Sequence, residues 1–146
     1  MVLKLVALLL AAGTSSRMGF PKALLPLGHE TLLAYQIRQF EPFCKSIYVI
    51  LGSQAERIQQ ELEHLKVQWV INPDYLSGMS SSVRTGAAEL LKVDFQGAFV
   101  TPVDHLTHQG VIQSLASAFQ FHKSLITSPY MEGRKGHPFL LHASLF

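Results

Sequence analysis

Apolar residues fall along this chain in short unbroken runs, separated by stretches in which they recur every three or four positions. Residues 4–10 read KLVALLL, the continuous apolar pattern of a strand buried on both faces. SIYVILG (46–52), VQWVIN (67–72), GAFVTPV (97–103) and SLITSPY (124–130) have the same strand character. Between these runs the period lengthens. In QAERIQQELEHL, Ile58, Leu62 and Leu65 recur at helical spacing with charge on the opposite side. Thr31 stands where it can cap a helix carrying Leu33, Ile37 and Phe40, and the serines at 80–82 stand before Val83, Ala87 and Leu90. A last helix is expected from about His108 to Phe121. Strands alternating with helices predict an α/β fold: a three-layer, doubly wound, mostly parallel sheet. PFLLHASLF at the end supplies one more strand, expected as an antiparallel one. Residues 1–146 read as a single domain.

The beginning of the chain admits a second reading. Lys4, the apolar run and Ala11-Ala12 together have the positive start and small-residue cleavage site of a secretory signal. The strand reading is preferred. Cleavage would delete the central strand and leave the loop behind it unanchored, and Arg17 and Lys22 follow the apolar stretch closely. The expectation is a buried strand that stays in the mature protein.

Composition narrows the function classes. Forty-eight per cent hydrophobic residues in 146 can fill one sizeable core. A net charge of +2 with scattered cations lacks the dense basic face of a nucleic-acid binder. No apolar run approaches the ~20 residues that cross a bilayer, so a membrane is not expected as a partner. Cys44 is the only cysteine, which excludes an intramolecular disulfide framework and points to a reducing, cytoplasmic setting.

Ligands of open α/β sheets bind beyond the carboxyl ends of strands, and three polar segments lie at such ends. AAGTSSRMGFPK follows the first strand. Its small residues let backbone N–H groups approach an anion, and Arg17 and Lys22 supply charge. It has neither the Gly-Lys-Ser/Thr of a Walker loop nor a GxGxxG fingerprint, and by spacing alone an ordinary loop with surface cations fits equally well. NPDYLSGMSSSVRTG follows the third strand. Gly78 permits a sharp turn, and a helix opening among Ser80, Ser81 and Ser82 would offer its N-terminal N–H groups to a phosphate or polarised carbonyl. The alternative is plain N-capping by Ser80 or Ser81, with Asn72 holding the turn before Pro73. VTPVDH places Asp104 at the tip of the fourth strand. There a carboxylate either helps to hold Mg2+, which takes one or two carboxylates plus substrate phosphates, or caps the next helix. His105 and His108 have no cysteine near them and do not make a zinc site.

Together these segments resemble the family of MobA-like nucleotidyltransferases, above all its branch of molybdenum cofactor cytidylyltransferases. LAAGTSSRMGFPKALLPLG matches the family's opening signature at Gly13, Ser16, Arg17, Met18, Gly19, Lys22 and Leu25-Pro26. NPDYLSGMSSSVRTG resembles its second block, and GRKGHPFLL its Gly-His-Pro block. The resemblance implies a Rossmann-like fold of the nucleotide-diphospho-sugar transferase type. It further implies binding of CTP with Mg2+ and transfer of CMP to a phosphate-ended acceptor, molybdopterin, with release of pyrophosphate. A molybdoenzyme that receives the finished cofactor is the implied macromolecular partner. Ala11, Ala12, Gly13 and the loop to Ser16 would cradle the triphosphate, Arg17 would pair with the departing phosphates, and Lys22 would stabilise charge at the α-phosphate. Asp104 would hold the metal. Asn72, Gly78, Ser80, Ser81 and Ser82 would lie near the base, ribose or acceptor, with His137 on the acceptor side.

Two departures accompany the match. PVDHL carries Leu106 where the family sets a proline. Relatives also continue beyond the Gly-His-Pro block with a further helix and strand portion, so the chain reads as shortened at its C-terminus. The alternatives kept open are a guanylyltransferase, a nucleotidyltransferase with another phosphate acceptor, and a non-catalytic nucleotide- or cofactor-binding module. The choice of base turns on position 12. Guanylyl-transferring relatives carry Gly-Gly where this chain has Ala12-Gly13, and a methyl group there narrows the space beside the base, which predicts CTP over GTP.

Overall fold

The fold grows from the first apolar run. In this computed structural model, which describes residues 2–146, that run is strand β1 (Leu5–Ala11), with every residue buried. The elements that follow are β2 (Pro26–Leu27), β3 (Glu30–Thr31), α1 (Leu32–Phe40), β4 (Ser46–Leu51), α2 (Ala55–Glu61), β5 (Gln68–Ile71), α3 (Met79–Leu90) and β6 (Gly97–Pro102). After them come α4 (Gln109–His122), β7 (Ile126–Thr127), β8 (Tyr130–Met131), β9 (Arg134–Lys135) and β10 (Phe139–His142). Six strands form one sheet in the order β5-β4-β1-β6-β10-β7. The first four run parallel, and β10 is antiparallel to both of its neighbours. The predicted α/β class, mostly parallel and doubly wound, is what the chain adopts.

Alternation along β1 decides which helix lies on which face, because successive strand side chains point to opposite sides. Leu5, Ala7, Leu9 and Ala11 share a core with α1, α2 and α4. Val6, Leu8 and Leu10 share the other with Leu90 of α3. The layers are therefore unequal, three helices on one face and one on the other. The single helix lies very close. A Cβ at Gly86 would come within 3.0 Å of Leu8 Cδ1 and 3.2 Å of Ile50 Cδ1, so glycine lets α3 seat directly on β1 and β4. Thr31 caps α1 as expected, its Oγ1 accepting from the Ala34 N–H at 3.2 Å.

Two elements depart from the sequence reading. Of residues 124–130 only Ile126 and Thr127 enter the sheet. Pro129 has no N–H to continue a ladder, and Tyr130 instead opens the hairpin β8–β9, whose central residues Glu132 (φ 49°) and Gly133 (φ 80°) have the paired positive φ of a type I′ turn. The last strand is antiparallel as expected, but it inserts between β6 and β7, where Leu140 is completely buried and faces Phe99 and Thr127. No described helix is long and apolar enough to cross a membrane.

Candidate active site

Strand order reverses its direction of growth at β1, whose neighbours are β4 on one side and β6 on the other. Such a switch point opens a crevice at the strands' carboxyl ends. Leu10 is level with Pro102, so the chain leaves β1 and β6 side by side. A cavity of about 260 Å³ lies between the two departing loops, walled by Ala11, Ala12 and Gly13 on one side and by Val103 and Asp104 on the other.

The loop after β1 is shaped by Ser15. Its left-handed backbone (φ 50°) turns the chain, and its carbonyl accepts from the N–H groups of Met18 (3.0 Å) and Gly19 (3.2 Å). Its Oγ accepts from the Lys22 N–H at 3.2 Å. Lys22 then opens a 3-10 turn, Lys22–Leu24, whose Ala23 and Leu24 are buried and anchor it. Its Nζ reaches Asp104 Oδ2 at 3.1 Å, with both side chains 42% exposed. A cation and a carboxylate from opposite sides of the crevice thus meet at its mouth. Asp104 does not cap a helix: α4 begins five residues later and is capped by His108, whose Nδ1 accepts from the Gly110 N–H at 3.0 Å. Ser16 and Arg17 are exposed on the loop and do not line the cavity. At Gly13 an added Cβ would meet nothing within 4 Å, so its backbone lies bare toward the crevice.

The third segment divides into wall and support. Gly78, Met79 and Ser82 line the cavity, and Gly78 (φ 97°) provides the positive φ from which α3 starts. None of the serines caps this helix. Asn72, only 1% exposed, donates from Nδ2 to Ser81 Oγ (2.9 Å) and Ser82 Oγ (3.0 Å). Its Oδ1 accepts from the Asp74 N–H at 3.0 Å. The Ser81 hydroxyl is in turn within donating distance of the carbonyls of Gly78 (2.7 Å) and Asp74 (2.9 Å). Asn72 and Ser81 therefore tie the start of α3 to the end of β5, behind the cavity wall, while Ser80 is exposed.

His137 packs edge-on against His105 (ring centroids 4.5 Å apart) and Phe139 (4.7 Å). Burial lowers its pKa most, the neighbouring His105 lowers it further, and Asp104 opposes both, which favours the neutral ring. It stands beside the Asp104 loop and does not line the cavity.

Four positions at or behind the site escaped sequence reasoning. Ser15, not Ser16, ties the first loop. Tyr75 lines the cavity. Gly52 fits beneath it, where a Cβ would come within 2.4 Å of Tyr75 Cβ and 2.9 Å of the Ala12 carbonyl; a glycine ending SIYVILG was the available signal. Gln36 holds the Asp104 loop from α1, and its signal was an amide among the apolar positions of that helix.

Among the described residues no three His, Cys, Asp or Glu side chains gather as a metal cage. A lone carboxylate at a crevice suits a hard cation that draws its other ligands from phosphates and water, and does not suit zinc.

Residues 7–146 match the model of the MobA-like NTP transferase domain. The chain is 30% identical over 132 residues to the molybdenum cofactor cytidylyltransferase of Escherichia coli strain K12, covering 90% of this chain and 66% of that protein. It is 34% identical over 152 residues to the nicotine blue oxidoreductase of Paenarthrobacter nicotinovorans, covering 94% and 70%. The crystal structure of the Mycobacterium tuberculosis rv0371c homolog from Mycobacterium sp. strain JC1 superposes with a TM-score of 0.81 at 26% identity, over 97% of this chain and 71% of that one. The chain thus spans about two thirds of the length of these relatives.

Proposed function

We propose that this chain, which belongs to the MobA-like NTP transferase domain family, transfers CMP from CTP to a phosphate-ended acceptor of the molybdopterin type, releasing pyrophosphate. The observation that carries the reading is the Lys22–Asp104 pair, 3.1 Å apart across the switch-point cavity. Nucleotidyl transfer needs a cation on the α-phosphate, a carboxylate for a metal and a small-residue backbone against the triphosphate, and these three features converge here.

In the reaction an oxygen of the acceptor phosphate attacks the α-phosphorus, and the bond from that phosphorus to the bridging oxygen of the β-phosphate breaks. The electron pair leaves with pyrophosphate. Lys22 turns from Asp104 to the α-phosphate, where negative charge accumulates. Ala12 and Gly13 keep the backbone close to the triphosphate, and Ser82 and Tyr75 border the nucleoside. Arg17, exposed on the loop, folds toward the departing pyrophosphate. His137, beside Asp104, lies on the acceptor side. Asp104 would hold Mg2+, which would supply charge neutralisation and Lewis-acid polarisation to the phosphates. The product passes to a molybdoenzyme in the cytoplasm.

The two curated relatives carry names for different reactions, so the choice rests on the pair at the cavity mouth, which suits a metal–triphosphate. The test is to incubate the protein with each NTP, Mg2+ and molybdenum cofactor and to follow pyrophosphate. CTP should give the fastest release. Nucleotide binding without release would refute the transfer and leave a binding module, and the absence of both binding and release would refute the reading as a whole.

A further inference from the structure

Gln36 is completely buried on the face of α1 that carries Leu33, Ile37 and Phe40 into the core. An amide in such a place is costly unless its donors and acceptor are matched. All its partners belong to one short segment. Nε2 donates to the carbonyls of Val103 (3.2 Å) and His105 (2.5 Å), and Oε1 accepts from the Thr107 N–H at 3.1 Å. Asp104 lies between the two carbonyls that the amide grips. Thr107 closes the segment from its far end, itself buried, with its hydroxyl within 3.2 Å of the His105 carbonyl.

We infer that Gln36 is a positioning residue for the nucleotide–metal site. It does not line the cavity. Its side chain fixes the backbone on both sides of Asp104 to a helix whose Leu33, Ile37 and Phe40 are buried in the core it shares with β1. The carboxylate is thereby held at the crevice instead of sharing the freedom of the six-residue connection between β6 and α4. This rests on the nucleotidyltransferase reading above, because it takes the carboxylate's task to be receiving a metal that arrives with a triphosphate.

The test uses the full chain. Gln36→Met keeps length and volume and removes all three hydrogen bonds. Gln36→Asn keeps an amide but withdraws it by one methylene, so it serves if the methionine variant does not fold. Three measurements are made on wild type and variant: thermal unfolding, hydrogen exchange of the amides of residues 103–107, and calorimetric affinity for CTP with and without Mn2+. For a folded variant, exchange at Thr107 should accelerate and Mn2+–CTP affinity should fall by about tenfold to a hundredfold, the usual cost of losing support behind a metal ligand. Affinity for metal-free CTP should stay near wild type. A role in packing alone would lower the unfolding temperature and leave the metal-dependent part of binding unchanged, and that result overturns the inference. If the wild type itself binds no Mn2+–CTP, the nucleotidyltransferase reading fails and the inference falls with it. Wild-type binding matched by the folded variant sinks the inference alone.

Discussion

Replacing Asn72 by alanine separates a residue that contacts ligand from one that builds the wall behind it. The side chain makes three hydrogen bonds at 1% exposure. The two to Ser81 and Ser82 contribute a net ~0.5–1.5 kcal/mol each. Ser81 retains its bond to the Gly78 or Asp74 carbonyl, and Ser82 borders the cavity, where water can reach it. The Asp74 N–H belongs to an exposed residue that water can reach, so its bond adds a further net ~0.5–1.5 kcal/mol. The sum is about 1.5–4.5 kcal/mol, a large share of the ~5–15 kcal/mol that stabilises a typical domain. Urea unfolding followed by the fluorescence of Trp69 should show the midpoint falling by ~1–2 M at an unchanged slope. CTP affinity, measured in the absence of urea, should weaken only modestly. An unchanged midpoint with CTP binding abolished would refute this reasoning and return Asn72 to direct contact with the nucleotide.

Asp104→Asn should abolish the gain in CTP affinity that Mg2+ confers while costing at most about 1 kcal/mol of stability, because the pair it breaks is half-exposed; calorimetry and a melting curve measure the two. Lys22→Ala should slow CMP transfer by ~100- to 1000-fold, the usual loss for one transition-state donor, and pyrophosphate release measures it. Ala12→Gly should narrow the preference for CTP over GTP, since it removes a buried methyl that lines the cavity; competition binding decides. Burial pushes the Cys44 thiol up to about 12 from a reference of 9.0, so native protein should resist iodoacetamide at pH 8 and react once unfolded. The folded state keeps this proton while the unfolded chain releases it. Stability should therefore fall as pH rises from about 9 to about 12, and Cys44→Ala should flatten that part of the profile.

The sequence carried its local information openly. Each buried strand of the parallel half announced itself as an apolar run, and α1 showed its cap at Thr31, because periodicity and capping depend on residues within one or two turns. The rule that ligands gather beyond strand ends was enough to nominate the loop after β1 and Asp104, and the signature around Gly13 and Lys22 pointed to the family that residues 7–146 match. What the sequence could not supply is which polar residues face the cavity and which hold it up. Ser15 and Ser16 are neighbours of like chemistry, and only the backbone turn at φ 50° makes the first the one that ties the loop. Asn72 read as ligand-facing or as holding the turn before Pro73, and Ser80, Ser81 and Ser82 as ligand-facing, with Ser80 or Ser81 as the alternative cap. The approach of α3 over Gly86 turned Asn72 and Ser81 into a buried support and left Ser82 at the wall. Lys22 meets Asp104 across 82 positions of chain, and Gln36 reaches Thr107 across 71. Contacts at that separation are fixed by strand order and register, by β6 lying beside β1 with Pro102 level with Leu10. That placement belongs to the packing of the whole sheet and is encoded in no single segment.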